Sequence, residues 1–410
     1  MQNIKTIEGG VCAAKGFRAG GIWCGIKASP HKRDLALIYS ETACVSAAVF
    51  TTNRVKAAPV IVTQEHCKDA RIRAVIANSG NANACTGREG LVSARRMASL
   101  IANEFAIPVR NVAVASTGVI GIPLPIAAIE AEISALADSI RADVSGNEST
   151  LEAIMTTDTR KKSSAVEINV HGHPVRIGAI VKGSGMVHPN MATMLCFITT
   201  DAAIEQSALS VALKDAVRSS FNRLSIDGVT STNDMVIVMA NGRAENQKIA
   251  LDNEYFAIFS TALRSLCVEL VRQAAQDGEG ATKLIVVTIT GARDEETAEA
   301  LAKSVASSNL VKTAAFGADA NWGRVVCALG YAGVSFEPDH VNIAFSSKKG
   351  SISVCKNGQT IPFSEENAKN ILLEDEIEIN ISIGNGPSTV TVWGCDFSYD
   401  YVKINGDYRT

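Results

Sequence analysis

A threonine stands where a polar loop meets an apolar run. Residues 181–200 read VKGSGMVHPNMATMLCFITT, so Thr193 follows a Gly-Ser-Gly loop and a Pro-Asn turn and precedes a β-prone stretch. A Thr hydroxyl is a weak nucleophile unless a base takes its proton. If the bond between Ala192 and Thr193 were cut, the new α-amine, with an ordinary pKa of about 7.7–8, could accept that proton. A Thr that only starts a core strand would have the same local sequence.

A second segment with catalytic potential is ASTGVIG, residues 115–121, which follows the strand-like run NVAV at 111–114. Glycine beside a strand end lets backbone N–H groups point outward, and an oxyanion hole is built from such groups. A Gly-rich turn that only joins a strand to a helix would have the same pattern. The polar stretch NSGNAN, residues 78–83, follows another apolar run and is interpreted either as a ligand-binding loop or as a plain connection.

Other catalytic groups are scarce in this sequence. Its six histidines form no HExxH motif, and its ten cysteines form no CxxC motif. The spacing of a phosphate-binding P-loop and of a serine nucleophile elbow is also absent. His171 and His173 lie in a turn-like polar stretch that we interpret as a surface loop. We therefore expect reduced, mostly buried thiols and no metal site, and we find no support for redox or phosphoryl-transfer chemistry.

Composition and charge narrow the class of protein. The chain has 410 residues, a length that predicts two or three domains. Its residues are 47% hydrophobic and 20% charged, an ordinary balance for a globular protein. A net charge of −3 argues against nucleic acid as the main partner. The apolar runs are shorter than the about 20 residues of a membrane span, and no apolar signal follows Met1. A cytoplasmic protein without a membrane partner is the expectation.

Charge is distributed unevenly about the bond between Ala192 and Thr193. Residues 1–192 carry 21 Lys and Arg against 15 Asp and Glu, a balance of +6. Residues 193–410 carry 18 against 27, a balance of −9. Complementary charge would favour association of two such fragments after cleavage, although burial of apolar surface is expected to dominate.

Hydrophobic periodicity predicts the elements that position these segments. Runs of β-prone residues predict strands at Leu35–Tyr39 and Cys44–Phe50, and alternation of isoleucine with polar residues predicts a strand at Ile377–Ile383. Apolar residues spaced by three and four predict amphipathic helices at Ile126–Ile140 and Phe256–Leu270. The first 115 residues are predicted to be short strands joined by polar loops, and residues 356–359 a hairpin turn. We expect mixed α/β layers, with a strand-rich C-terminal lobe after a boundary near 290–340.

Seven segments together resemble the ornithine acetyltransferase family of arginine biosynthesis, also called glutamate N-acetyltransferases. They are NSGNANACTG (78–87), STGVIG (116–121), MTTDT (155–159), KGSGMVHPNMATML (182–195), DGEGATK (277–283), FGADANWGR (316–324) and DYRT (407–410). The segments span nearly the whole chain in the family's order, and KGSGMxxPNMATML is very specific. No departure occurs at a motif position.

The resemblance implies a reaction. In this family the precursor cleaves itself between the Ala and Thr of MATML, here Ala192 and Thr193. Thr193 then takes the acetyl group from N2-acetylornithine and passes it to L-glutamate, which gives ornithine and N-acetylglutamate. The resemblance implies no resident cofactor, and it leaves open whether acetyl-CoA serves as a second acetyl donor.

The resemblance also assigns residues. Thr117 and Gly118 match the family's oxyanion-stabilising pair. The positions that match its substrate-binding residues are Thr156, Lys182, Thr193, Glu279, Asn405 and Thr410. Lys182 is expected to pair with an anionic group of the substrate and Glu279 with a cationic one. Without the family match, a solvated surface charge would be the ordinary interpretation of each.

The architecture that the resemblance implies is an α/β/β/α layered sandwich of the self-processing, aminopeptidase-like type with a smaller C-terminal lobe. Residues 1–192 are expected to form the alpha chain and the N-terminal part of the sandwich. Residues 193–290 begin the beta chain and complete the sandwich. Residues 291–410 are expected to form an α/β lobe that returns its terminus to the active site. The family assembles from two alpha and two beta chains.

Two other functions stay open on the sequence. A self-processing aminopeptidase with an N-terminal nucleophile would use the same chemistry but pass the acyl group to water instead of glutamate. A catalytically silent amino-acid-binding protein would keep an intact chain and form no acetyl-enzyme. The segments DGEGATK and DYRT favour the transferase.

Overall fold

The computed structural model describes residues 4–188 and 194–407. The strands in these ranges are β1 (Lys5–Ile7), β2 (Phe17–Ile22), β3 (Leu35–Ser40), β4 (Val45–Phe50), β5 (Ala74–Asn81), β6 (Val112–Val119), β7 (Lys162–Val170), β8 (His173–Lys182), β9 (Leu195–Thr200), β10 (Leu224–Ser225), β11 (Met235–Ala240), β12 (Leu284–Ala292), β13 (Asn342–Ser347), β14 (Gly350–Lys356), β15 (Gln359–Thr360), β16 (Glu376–Ser382) and β17 (Ser388–Cys395). The α-helices are α1 (Ala58–His66), α2 (Gly87–Glu104), α3 (Ile126–Ala131), α4 (Ile133–Ser139), α5 (Val144–Ile154), α6 (Gln206–Ser219), α7 (Glu254–Gln276), α8 (Glu295–Ser307), α9 (Asn309–Phe316), α10 (Trp322–Gly330), α11 (Glu365–Leu372) and α12 (Tyr399–Gly406).

Two compact units alternate along the chain. The first contains the described residues of 4–183, 194–222 and 230–270. The second contains residues 184–188, 223–229 and 271–407. The loop that begins with Ser184 therefore belongs to the second unit, whereas the strand before it, β8, belongs to the first.

The first unit is built on two sheets. A six-stranded sheet has the order β1-β7-β8-β9-β11-β4, and a four-stranded sheet has the order β2-β3-β5-β6. In the six-stranded sheet β9 runs antiparallel to β8 and parallel to β11, so that Leu195 lies opposite Lys182 on one side and Met235 on the other. In the four-stranded sheet β5 and β6 run parallel.

The two sheets of the first unit share one apolar core. Ile38 and Val75 of the four-stranded sheet are buried in the same cluster as Phe197 and Ile237 of the six-stranded sheet. The opposite face of the four-stranded sheet packs on α1 to α4. Beyond the six-stranded sheet, α6 contacts β4, and Cys267 of α7 lies near Cys196 of β9. Helices therefore cover both sheets, which confirms the predicted α/β/β/α sandwich.

The second unit is the smaller, strand-rich lobe. Its seven-stranded sheet has the order β10-β17-β12-β16-β13-β14-β15. The alternating isoleucines of β16, Ile377 to Ile381, are buried in one cluster with Leu301 of α8 and Leu329 of α10. The predicted strand at 377–383 and the hairpin turn are confirmed, because Asn357 and Gly358 adopt the positive φ values, 49° and 70°, that such a turn requires.

Several predicted elements differ from the structure. The helix expected from Ile126 to Ile140 is divided at Glu132, where φ is −110° and ψ is 8°. The prediction that the first 115 residues contain only strands and loops was wrong, because α1 and α2 lie there. The buried stripe of α2 is made largely of small residues such as Ala94 and Ala98, which give little hydrophobic signal. The segment 78–83 is also partly strand, since β5 continues to Asn81.

Candidate active site

Thr117 and Gly118 lie at the end of β6, beside the end of β5. In this parallel pair Ser79 lies opposite Thr117 and Gly80 opposite Gly118, and the register shifts at Asn81. Gly118 has a φ of 133°, and a Cβ built on it would lie 2.4 Å from the carbonyl carbon of Gly80. No other residue fits this backbone conformation and this approach of two strands. Glycine is therefore required by the fold at the position that the motif assigned to oxyanion binding.

Buried amide side chains hold these strand ends in place. Asn78 Oδ1 accepts a hydrogen bond from Ser116 Oγ at 2.6 Å, and Asn78 Nδ2 donates to the Asn81 carbonyl at 2.9 Å. Asn233 Nδ2 donates to the carbonyls of Ala82 at 2.6 Å and Ser116 at 2.8 Å. Since buried amides are costly to leave unpaired, this network fixes the backbone around Thr117.

Lys182, the last residue of β8, brings two other predicted residues together. Its side chain is only 9% exposed. Its Nζ donates to Thr156 Oγ1 at 2.8 Å and to Thr117 Oγ1 at 3.2 Å. Thr117, Thr156 and Lys182, which lie far apart in the sequence, therefore form one cluster in the first unit.

Asp158 supplies the negative charge of this cluster. Its buried carboxylate pairs with Lys162 Nζ at 2.7 Å and lies 3.9 Å from Lys182 Nζ. It also accepts hydrogen bonds from the backbone N–H groups of Gly183 at 2.8 Å and Thr156 at 3.0 Å. Burial alone would raise the pKa of Asp158, but the charges of Lys182 and Lys162 and these hydrogen bonds hold it well below its usual range.

Two further titratable groups near Lys182 were not singled out by sequence reasoning. Lys27 Nζ donates to the carbonyl of Met155, directly before Thr156, at 2.8 Å, and burial lowers the pKa of Lys27 to about 8. Asp234 is 2% exposed, and burial raises its pKa well above the usual value. Asp234 Oδ2 has no hydrogen-bond partner within the described ranges. Neither residue belongs to a motif segment that could have pointed to it.

Strand β9, which follows the predicted nucleophile in the sequence, pairs with β8 on one side and β11 on the other. The Met194 carbonyl accepts a hydrogen bond from Met235 N at 3.0 Å, and β9 begins at the next residue. Ala192, Thr193 and Thr410 lie outside the described residues. Their predicted roles in cleavage, nucleophilic attack and substrate binding stay predictions.

Glu279 and Asn405 meet in the second unit. Glu279 is 7% exposed, and its Oε2 accepts a hydrogen bond from Asn405 Nδ2 at 2.8 Å. Its backbone N–H donates to the Ser184 carbonyl at 2.7 Å. A Cβ on Gly185 would lie within 2.2–2.5 Å of the Glu279 carboxylate atoms. Gly185 of the KGSG segment must therefore be glycine, because any side chain there would clash with the Glu279 carboxylate.

Asp227 holds the same loop within the second unit. Its carboxylate accepts hydrogen bonds from the backbone N–H groups of Met186 at 2.5 Å and Val187 at 2.9 Å. His188 Nδ1 lies 3.0 Å from Ser225 Oγ. Burial, together with the charges of Asp227 and Glu279, raises the pKa of Tyr401 in α12 to about 12. The loop of residues 184–188 is thus anchored by fixed side chains.

The described residues contain no group of three or more His, Cys, Asp or Glu side chains arranged to hold a metal ion. The ten cysteines are free thiols, and seven of them are buried. Burial raises the pKa of several of the buried thiols, among them Cys12 and Cys44 to about 12, so they are weak nucleophiles. In the described part of the chain no helix is long and apolar enough to cross a bilayer.

Comparison with known proteins places the chain in a family. The family model described as the ArgJ family matches residues 18–410. The chain belongs to the ArgJ family. The family prediction made from the motif segments is thereby confirmed.

Individual ArgJ relatives match over nearly their full length. The arginine biosynthesis bifunctional protein ArgJ of Caldanaerobacter subterraneus is 49% identical over 99% of this chain and 100% of its own length. The crystal structure of the Bacillus halodurans ArgJ protein has 45% identity, covers 51% of this chain and 97% of that chain, and gives a TM-score of 0.49. The ornithine-bound ornithine acetyltransferase of Mycobacterium tuberculosis has 39% identity, with coverages of 46% and 100% and a TM-score of 0.43.

Proposed function

We propose that this ArgJ protein is a glutamate N-acetyltransferase that cleaves itself between Ala192 and Thr193. It moves the acetyl group of N2-acetylornithine to L-glutamate through an acetyl ester on Thr193. Membership of the ArgJ family supports the reaction. The observation that carries it is the cluster in which Lys182 Nζ contacts the hydroxyls of both Thr117 and Thr156.

In the first half-reaction the Thr193 hydroxyl attacks the acetyl carbonyl of N2-acetylornithine. The free α-amine of Thr193 takes the hydroxyl proton and returns it to the departing α-nitrogen, so ornithine leaves as a neutral amine. In the second half-reaction the α-amine of glutamate attacks the acetyl ester. The Thr193 oxygen regains a proton, and N-acetylglutamate is released. Because one enzyme group carries the acetyl unit between two substrates, the kinetics are ping-pong.

Each tetrahedral intermediate carries a negative oxygen that must be stabilised. We assign this to Thr117 and to the backbone N–H of Gly118, supported by their position at the end of β6. The ammonium of Lys182, 3.2 Å from Thr117 Oγ1, adds positive charge to this part of the cluster. Donors and charges that are fixed before the reaction stabilise such an oxygen without further reorganisation.

The substrate-binding roles are proposed for each unit separately. In the first unit Thr156 and Lys182 bind an anionic group of the substrate, since Lys182 is a buried cation in contact with Thr156. In the second unit Glu279 binds a cationic group, and Asn405 orients it through the hydrogen bond to Oε2. Thr410 is proposed as a substrate-binding residue on the family pattern alone.

Further properties are proposed on the same basis. Transfer through Thr193 uses only protein groups, so we propose that no resident cofactor is needed. We propose an assembly of two copies of each fragment, working in the cytoplasm. Acetyl-CoA is the second donor to test, since the Caldanaerobacter relative is named bifunctional.

Product analysis tests the function. Purified protein is incubated with N2-acetylornithine, with and without glutamate, and the products are separated by chromatography. Formation of N-acetylglutamate that depends on glutamate is expected, with ornithine in equal amount. Release of acetate without N-acetylglutamate would instead identify a hydrolase of the aminopeptidase type. A parallel reaction with acetyl-CoA as the sole donor tests the second activity.

A further inference from the structure

Lys27 is a cation beside the predicted catalytic cluster, and none of the motif segments assigns it a role. It lies in the segment between β2 and β3. Its Nζ donates to the Arg33 carbonyl at 2.7 Å and to the Met155 carbonyl at 2.8 Å. Met155 directly precedes Thr156, whose hydroxyl accepts a hydrogen bond from Lys182. The Lys27 ammonium therefore contacts the backbone of the residue next to Thr156, which is proposed to bind substrate.

The stem of Lys27 approaches the other side of the same cluster. Gly80, the register partner of Gly118, has a φ of 96°. A Cβ built on Gly80 would lie 3.3 Å from Lys27 Cγ. The Lys27 side chain thus extends from the glycine pair at the ends of β5 and β6 to the backbone beside Thr156.

The charge of Lys27 is not neutralised by direct contact. Both of its acceptors are carbonyl oxygens, and it forms no ion pair with a carboxylate among residues 4–188 and 194–407. The carboxylate of Asp34, whose charge acts on the Lys27 ammonium, already accepts hydrogen bonds from the backbone N–H groups of Cys24 at 2.6 Å and Lys27 at 2.8 Å. An ammonium has three N–H donors, so one donor of Lys27 has no acceptor in these ranges.

Charges of both signs act on the Lys27 ammonium. The carboxylates are Asp34 and Asp158 and the cations are Lys182 and Lys32, but Asp158 already pairs with Lys162 at 2.7 Å and lies 3.9 Å from Lys182 Nζ. Burial lowers the pKa of Lys27 first of all, Asp34 opposes this, and the charge of Lys182 lowers it further. An anion bound beside Lys27 would relieve this repulsion and accept the open N–H, which favours a carboxylate as the ligand.

We propose that Lys27 binds the side-chain carboxylate of the acceptor glutamate and so selects glutamate in the second half-reaction. This inference rests on the proposed function. Ornithine and glutamate share an α-amine and an α-carboxylate, and they differ in a side-chain ammonium against a side-chain carboxylate. Within residues 4–188 and 194–407 Lys27 has an open donor and no carboxylate partner, and it therefore matches the one group that only glutamate carries.

Two isotope-exchange reactions separate the half-reactions. Exchange of labelled ornithine into N2-acetylornithine requires only the donor half, and exchange of labelled glutamate into N-acetylglutamate requires only the acceptor half. For Lys27→Met we expect the KM for glutamate to rise roughly 10- to 100-fold, the range of a lost hydrogen bond to a charged group. The KM for ornithine should change by less than about twofold. Lys27→Arg should restore most of the glutamate affinity, since it keeps the charge.

Two variants serve as controls, Lys27→Gln, which keeps a hydrogen-bond donor without a charge, and Lys32→Met, which changes a neighbouring lysine. Lys27→Gln can still donate to the Met155 carbonyl without carrying a charge, so it should lose glutamate affinity as Lys27→Met does. Lys32→Met changes an exposed lysine of the same segment and should leave both exchange reactions unchanged. Circular dichroism and the unfolding midpoint verify that each variant is folded.

The outcomes distinguish the inference from its alternatives. Equal impairment of both exchange reactions would overturn it, because Lys27 would then only position Thr156 through the Met155 carbonyl. Unchanged KM values for both amino acids in folded Lys27→Met and Lys27→Gln would overturn it as well. Absence of either exchange in the wild-type protein would instead contradict the proposed function, and the inference would fall with it.

Discussion

Asp158 is the residue on which the arrangement of the buried lysines depends. It lies between Lys162 and Lys182 and accepts two backbone N–H groups. A buried cation that loses a carboxylate partner loses attraction that had offset the cost of its desolvation. We therefore expect Asp158 to contribute both to stability and to the position of Lys182 Nζ near Thr117.

Replacing Asp158 with Asn should destabilise the protein at neutral pH by about 3–5 kcal/mol, because two buried ammonium groups lose the attraction of the Asp158 charge. The carboxylate has a folded pKa below its unfolded value, so its stabilisation is present above about pH 3.9 and is lost as the pH falls toward the folded pKa. The difference between wild type and variant should thus shrink in acid. Urea unfolding across pH measures it, with exposed Asp138→Asn as the control. A difference that stays constant down to strong acid would contradict the ion-pair role.

The sequence predicted the members of this cluster better than their interactions. Thr117, Thr156 and Lys182 could be named because they lie in recognisable segments. Asp158 lies in the segment MTTDT, but its charge became important only when the fold buried it beside two lysines. Lys27 and Asp234 gave no local signal, since burial and desolvation are properties of the assembled sheets.

The parallel pair β5–β6 shows how strand geometry limits the residues of a site. Gly118→Ala should reduce stability and acetyl transfer strongly, because a Cβ would lie 2.4 Å from Gly80 and 2.6 Å from Asn81 N. Positive φ alone costs about 1–3 kcal/mol for a residue with a side chain. Gly121→Ala is the matched control, since Gly121 also has a positive φ but no heavy atom within 4 Å of its built Cβ. Equal losses in both variants, measured by thermal unfolding and acetyl transfer, would contradict a special role for the close strand approach.

Helix α12 has little part in the core, since none of its described residues is buried. Deleting residues 405–410 should therefore cost little stability but much activity, because Glu279 loses the hydrogen bond from Asn405. The comparison is between the unfolding midpoint and kcat/KM for N2-acetylornithine. Lys403→Ala, on the same helix and exposed, should change neither quantity. Full activity per folded molecule after the deletion would show that the C-terminal residues do not serve the site.

Element prediction succeeded where apolar residues were large and regular. The isoleucines of β16 and the Phe and Leu stripe of α7 were found, whereas α2 was missed because small residues form much of its buried stripe. Periodicity also could not show that the apolar stripe from Ile126 to Ile140 is broken at Glu132, since the break changes the backbone and not the spacing. Pairing across the sheets was beyond the sequence, because it joins residues that lie far apart in the chain.

Cleavage before Thr193 would leave two fragments that share the six-stranded sheet. Strands β9 and β11 of the second fragment pair with β8 and β4 of the first. Phe197 and Ile237 lie in one buried cluster with Ile38 and Val75. Strand pairing and apolar burial of this extent are expected to keep the fragments together, with the opposite charges, +6 and −9, as a smaller contribution.

Mass spectrometry of the denatured protein after incubation with N2-acetylornithine tests most directly whether a self-generated N-terminal Thr193 carries the acetyl group. We expect fragments of 192 and 218 residues, with one added acetyl group on the larger fragment that disappears when glutamate is supplied. Thr193→Ala should give a single chain of 410 residues without acetyl. An intact wild-type chain that still transferred acetyl groups, or an acetyl group on the smaller fragment, would contradict Thr193 as the nucleophile.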